Sequence, residues 1–205
     1  MSRYRGPIVR KSRRYGEILF GNGQSKTNAF NKRKYPPGQH GRNSFRKLSE
    51  YGKQLTEKQK ARFMYGLTEK SFRRCYKEAD RAEGITGDNL LIALELRLDN
   101  VVYRAGFANS RRQARQMVSH GLVKLNDRRV TIPSIKVSIG DAFEIRAKNQ
   151  KSPMFEEVKL TKKPTNPKWM EVDYKKLSGK IAALPDKDDV EQMIQSQLIV
   201  EFYSK

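Results

Sequence analysis

Residues 94 to 141 switch from helical to strand periodicity within fifty positions, and few folds accept that pattern. Asp88 or Asn89 is placed to cap a helix in which Leu90, Leu91, Leu94, Leu98, Val101 and Val102 make one broad apolar face. Ser110 caps the next helix, with Ala114, Met117 and Val118 inward and Arg111, Arg112 and Arg115 on a neighbouring face; Gly121 stops it. The period then drops to two. Leu122, Val123 and Leu125 lead to a hairpin turn at Asn126-Asp127, Arg128 and Arg129 lie beside it, and Val130 and Ile132 return. Ile135, Val137 and Ile139 follow, Gly140-Asp141 turns, and Phe143 and Ile145 predict a further strand. The result is a small α+β domain that holds several arginines at fixed spacing. Rigid cations suit a structured polyanion, so the segment reads as a folded RNA-binding module.

Charge supports this. The chain has 205 residues and a net charge of +21, which points to nucleic acid or an anionic surface as partner. No apolar run approaches the roughly 18 residues of a membrane span. The N-terminus has no apolar core of a secretory signal, and one cysteine excludes an intramolecular disulfide framework. Residues 1–75 carry 20 basic and 4 acidic side chains, so most of the excess lies in the first third.

Residues 1–47 have few periodic apolar positions and many Gly, Pro, Asn and Ser, which predicts an extended basic arm unable to fold alone. Tyr4, Tyr15, Phe20, Phe30 and Tyr35 are interleaved with its cations, and such rings can stack on bases or pack in grooves. From Leu48 the pattern is helical: Ser49 caps one helix that Gly66 ends, and Thr68 caps another with Phe72, Cys75 or Tyr76, and Ala79 inward. Lys70, Arg73, Lys77 and Arg81 point outward, a pattern that by itself reads as a solvated face. Cys75 reads as a small core residue. Near the C-terminus, Asp186, Asp188, Asp189 and Glu191 predict a short helix with an acid-rich start, and the alternation of Leu198, Val200 and Phe202 predicts a strand.

A resemblance extends these readings. MSRYRGP at 1–7, SRRYG at 12–16, PPGQHG at 36–41, LSEYGKQLTEKQKARFMYGL at 48–67, LELRLDNVVYRAGFANSRRQARQMVSHG at 94–121, IPS at 132–134 and LIVEFYSK at 198–205 together resemble the small ribosomal subunit protein four family, in its order and over nearly the whole chain. Some members bind zinc through four N-terminal cysteines. Here position 9 is Val9, and one Cys with two His makes no tetrahedral site, so the chain resembles the zinc-free variant, without metal or other cofactor.

The resemblance implies an α+β fold: a mainly helical, discontinuous domain (48–88, completed by a tail at 174–205), a helix–helix–hairpin module with following strands (89–173), and the arm at 1–47. It implies a structural, non-enzymatic ribosomal protein. Its expected role is to bind the five-way junction in the 5′ domain of small-subunit rRNA and nucleate assembly of the body, in the cytoplasm or an organelle. The RNA-binding residues carried over are Arg3, Arg5, Arg13, Arg14, Gln54, Lys58, Arg62, Arg73, Arg111, Arg112, Gln113, Arg115, Gln116 and His120. Arg42, Arg46 and Lys47 follow the PPGQHG turn, where the family faces mRNA entering the subunit. Asp186, Asp188, Asp189 and Glu191 are the expected contact to small-subunit protein five, through which the tail would influence translational accuracy.

Two plainer readings stand beside these roles. His120 precedes a helix-ending glycine, where a histidine often just complements the helix C-terminus. Asp99 lies in an RLD run that superficially resembles the catalytic aspartate motif of pseudouridine synthases, but a catalytic domain needs some 150 further residues. Asp99 is therefore expected to cap, turn or pair with Arg97. The alternatives are a standalone RNA-binding or chaperone protein, which would lack the matching ends, and an RNA-modifying enzyme carrying the same module.

Overall fold

Side-chain caps decide where the long helices begin. In the computed structural model, which describes residues 4, 6–20, 24–42, 47–160 and 167–204, α1 (Ile8–Tyr15) and α2 (Gln24–Asn31) precede α3 (Glu50–Met64) and α4 (Glu69–Arg81). Ser49 Oγ accepts the Gly52 N–H at 3.2 Å to open α3, and Thr68 Oγ1 accepts that of Ser71 at 3.4 Å to open α4. Then come α5 (Thr86–Glu95), α6 (Leu98–Arg104), α7 (Arg111–Ser119), β1 (Val123–Leu125), β2 (Arg128–Arg129), β3 (Ala142–Ile145), α8 (Pro153–Leu160), β4 (Met170–Asp173), β5 (Ser178–Ile181) and α9 (Ser196–Tyr203). The fold is α+β. It divides into two units, Met1–Leu90 with Gln192–Lys205, and Leu91–Glu191.

In the first unit, Ala61 and Met64 of α3, Phe72, Cys75, Tyr76 and Ala79 of α4, and Ile199 of α9 are buried. Tyr203 stacks on Tyr76 and Phe72, with ring centroids 4.5 and 6.4 Å away. The strand expected at Leu198–Phe202 is thus a helix. Ile199 is sealed while Leu198 and residues 200–203 are partly exposed, and Tyr203, one helical turn beyond Ile199, turns its ring onto Tyr76 and Phe72. Packing overrides the β-propensity of the run.

The arm at 1–47 also departs from expectation. It carries α1 and α2, and its rings find partners: Tyr4 and Tyr15 lie 5.3 and 6.2 Å from Phe63 of α3, and Leu19 and Phe20 are buried. Periodicity within the arm cannot reveal this, because the ring it docks against, Phe63, lies far along the chain in α3.

The second unit is built on an antiparallel sheet of order β2-β1-β3-β5-β4. Phe143 and Ile145 on β3 and Ile181 on β5 join Leu98, Val101, Val102, Ala114, Met117, Val118 and Trp169 in one core. The β1–β2 turn has Asn126 at φ 47° and Asp127 at φ 63°, the left-handed pair that a two-residue hairpin requires. Asn126 Oδ1 accepts the Ala142 N–H at 2.9 Å, which pins the turn to β3.

Three local expectations are corrected. The helix predicted from Asp88 or Asn89 through Val102 starts at Thr86 and breaks at Leu96-Arg97, where Arg97 is extended and bridges Lys136. Val137 N–H donates to the Leu96 carbonyl at 2.9 Å and Leu98 N–H to that of Ile135 at 2.9 Å, so the backbone of 135–137 takes over the helix's own bonds. Ile135–Ile139 accordingly contributes this bridge and no sheet strand. Residues 186–191 form a turn, not a helix, closed by Asp189 N–H to the Asp186 carbonyl at 3.0 Å; four carboxylates so close oppose a common helix turn.

Candidate nucleic-acid interface

The second unit commits Arg97, Arg104, Arg111 and Arg115 to its own carboxylates. Glu95 is fully buried within an otherwise apolar face, and Arg104 grips it with Nε and Nη2 at 2.8 and 2.7 Å. Arg111 donates from Nε to Asn100 Oδ1 at 2.7 Å and from Nη2 to Glu191 at 2.5 Å, and its guanidinium lies 4.6 Å from the Tyr103 ring centroid. Glu191 also lies 3.2 Å from Arg104. Asp99 takes Arg97 at 3.1 Å and Arg115 at 3.0 Å on the same oxygen, Oδ2. The expected Arg97 partnership of Asp99 is therefore present, and Arg115 joins it.

Around this framework sit the remaining residues of the module. Gln113 accepts the Asn109 N–H at 2.8 Å while its own N–H caps on Ser110, and Arg112 is half-buried beside it. Gln116 is exposed. His120 is the C-terminal cap of α7 with its side chain exposed, and Gly121 follows at φ +67°. Asp186 and Asp188 are exposed, whereas Asp189 closes its own turn and Glu191 belongs to the arginine network.

In the first unit the carried-over residues separate by role. Arg13 donates to the Tyr35 and Pro36 carbonyls at 3.0 and 3.4 Å and lies over the Tyr35 ring, so it clamps the PPGQHG turn. Arg42 lies over that ring at 5.2 Å. Gln54 donates to Glu201 at 3.0 Å. Lys58, nearly buried, donates to Glu69 at 2.8 Å and sits 4.6 Å from the Phe202 ring centroid. Tyr203 also donates to Glu69, at 2.9 Å. Burial pushes the Glu69 carboxyl up, but the bonds from Lys58 and Tyr203 and the charges of Lys58 and Arg62 outweigh it and hold the group below its ordinary range. Burial, then the bond to this carboxylate, pushes the Tyr203 phenol well above its usual value.

Cations presented outward include Arg10 and Arg14 on α1, Lys26 on α2 with Lys32, Arg33 and Lys34 after it, Arg42 and Lys47 after the turn, and Lys70, Arg73, Arg74, Lys77 and Arg81 along α4. Arg62 is half-buried, 3.7 Å from Glu69. Arg3, Arg5 and Arg46 lie outside the described residues. Sequence reading missed the acidic side of these pairs: Glu69, Glu95 and Glu201 drew no role, although an acid at an apolar helix position, as at Glu95, is the signal of a buried ion pair.

Two family models match the chain. Residues 3–95 match the family model described as the ribosomal protein S4/S9 N-terminal domain, and residues 96–143 match the S4 domain. Small ribosomal subunit protein uS4 of Syntrophomonas wolfei is 47% identical, with all of both chains covered. Those of Solidesulfovibrio magneticus and Caldicellulosiruptor saccharolyticus are each 50% identical, also over the full length of both chains. The chain belongs to the small ribosomal subunit protein uS4 family.

Proposed function

We propose that this chain is a structural, non-enzymatic constituent of the bacterial small ribosomal subunit that binds rRNA, specifically the five-way junction of the 5′ domain, and nucleates assembly of the body. The observation that carries the reading is likeness to uS4 proteins from end to end. The charge supports it: the first unit holds 23 basic and 9 acidic residues, and outward cations stand along α1, α2 and α4 and in the segments between. Arg14, Arg62 and Arg73 would meet phosphates directly, joined by Arg3, Arg5, Arg112, Gln116 and His120. Arg13, Gln54, Lys58, Arg111, Gln113 and Arg115 would act by holding the binding surface in shape. Arg42, Arg46 and Lys47 would face mRNA where it enters the subunit. The exposed Asp186 and Asp188, with Asp189 and Glu191, would meet small-subunit protein five and so bear on translational accuracy.

Hydroxyl-radical footprinting of the full chain on small-subunit rRNA tests the target. Protection clustered around the five-way junction is the expected result. Protection dispersed over the RNA, or confined to another domain, would refute it.

A further inference from the structure

Arg104 on α6 and Arg111 on α7 bring their Nη2 groups to one point, the Oε1 of Glu191, at 3.2 and 2.5 Å. Both arginines are fixed from behind. Glu95 takes Nε and Nη2 of Arg104, Asn100 takes Nε of Arg111 and itself donates to Glu95, and the Tyr103 ring backs the Arg111 guanidinium. The two forks are thus oriented by partners other than Glu191, as in a preformed anion site.

The two carboxylates of the cluster are not equivalent. The Glu95 side chain is 0% exposed and ends a helix, whereas that of Glu191 is 18% exposed, beside 22% for Arg104 and 12% for Arg111. Glu191 closes the site on its solvent side. It belongs to a stretch, 182–195, without helix or strand, in which none of residues 186–193 is buried. Lifting its carboxylate away breaks no helix or sheet hydrogen bond, which puts the stretch at the low end of local stability.

Charge decides what can take its place. Glu95 and Glu191 balance the two guanidinium groups, and withdrawing Glu191 alone strands a partly buried cation. A phosphodiester restores the balance, because it carries the same single charge and offers oxygens that a guanidinium fork accepts. Arg111 shares α7 with Arg112 and Gln116, so RNA seated on that helix has phosphates to offer.

We propose that Glu191 is a displaceable internal anion: it occupies the Arg104–Arg111 site in the free chain, and a backbone phosphate of bound RNA replaces it and releases residues 186–193. This rests on the reading of the chain as an rRNA-binding protein and adds an autoinhibitory contact to it. Arg111 keeps its bond to Asn100 throughout, so it still holds the surface in shape while its outward partner changes. Release also makes Glu191 available to the protein partner proposed for the acidic stretch.

The test is hydrogen exchange at residues 186–193 in the intact chain, free and bound to a transcript of the small-subunit rRNA 5′ domain. In the wild type, RNA should speed exchange of this stretch while slowing it along α7. Free Glu191→Gln should already exchange there as fast as the bound wild type, and RNA should add nothing. Glu191→Gln should also bind the transcript about three-fold more tightly, the worth of one partly exposed ion pair. Asp188→Asn removes the same charge from an exposed side chain of the same stretch and should leave both readouts close to wild type. Wild-type exchange at 186–193 that slows or holds steady on RNA binding overturns the latch, whether or not a variant folds, while the rRNA reading stands. Equal gains in affinity from the two substitutions overturn it as well, because charge alone then explains them. A wild-type chain that retains no transcript overturns both readings.

Discussion

Asp99 holds two guanidinium groups on one oxygen while nearly removed from water, so its contribution is inseparable from theirs. Removing one member of such a group strands the others, which typically costs about 3–5 kcal/mol. Asp99→Ala should lose stability of that order in the second unit. Trp169, the single tryptophan, is buried in that unit's core and gives a fluorescence signal for its denaturant unfolding. Gly121→Ala is expected to lose about 1–2 kcal/mol by the same measurement, since φ is +67° there and a Cβ would meet the Arg129 guanidinium. At this scale much was legible. Asn126-Asp127 declares a left-handed turn in two letters, and Asp99 lies two residues from its first arginine. What stayed hidden was the second partner. Arg115 reaches Asp99 across sixteen residues, and an arginine on a helix face looks alike whether it awaits phosphate or already holds a carboxylate.

Elements were legible where their signals were local. Ser49, Thr68, Ser110, Gly66 and Gly121 mark starts and stops that side-chain caps and positive φ set within a turn. The break at Leu96-Arg97 and the helicity of α9 depend on distant backbone and rings, so no window around them carries the information. The pairing of α9 with α4 gives a pH signature. In the folded chain the Glu69 carboxyl lies below its ordinary 4.5. Its stabilisation is therefore present above that value and is lost as pH falls through the lower, folded one. Glu69→Gln should flatten the acid limb of first-unit stability, measured by amide exchange in α3. The Tyr203 phenol lies above its ordinary 10.0, so its contribution holds below that pH and fades above it. Tyr203→Phe should flatten the alkaline limb in the same experiment. Equal acid limbs in wild type and Glu69→Gln would refute the role given to the Lys58–Glu69–Tyr203 cluster.

For the molecule as a whole, net charge divides unevenly: 23 basic against 9 acidic residues in the first unit, 20 against 13 in the second. The two kinds of arginine should separate by experiment. Neutralising Arg73, Lys77 and Arg81 on α4 should reduce the salt slope of rRNA binding by about 0.7–0.9 for each phosphate left without its cation, with folding intact. Neutralising Arg111 and Arg115 should appear first as lost second-unit stability, reported by Trp169. The discontinuity of the first unit bears also on how the chain is made. Synthesis runs at about 5–20 residues per second, so α3 and α4 wait on the order of ten seconds before Ile199, Phe202 and Tyr203 are available to cover them. The second unit lies in one continuous stretch and can close while its neighbour is still incomplete. A nascent chain arrested before residue 196 should thus protect Trp169 yet leave α4 open to protease.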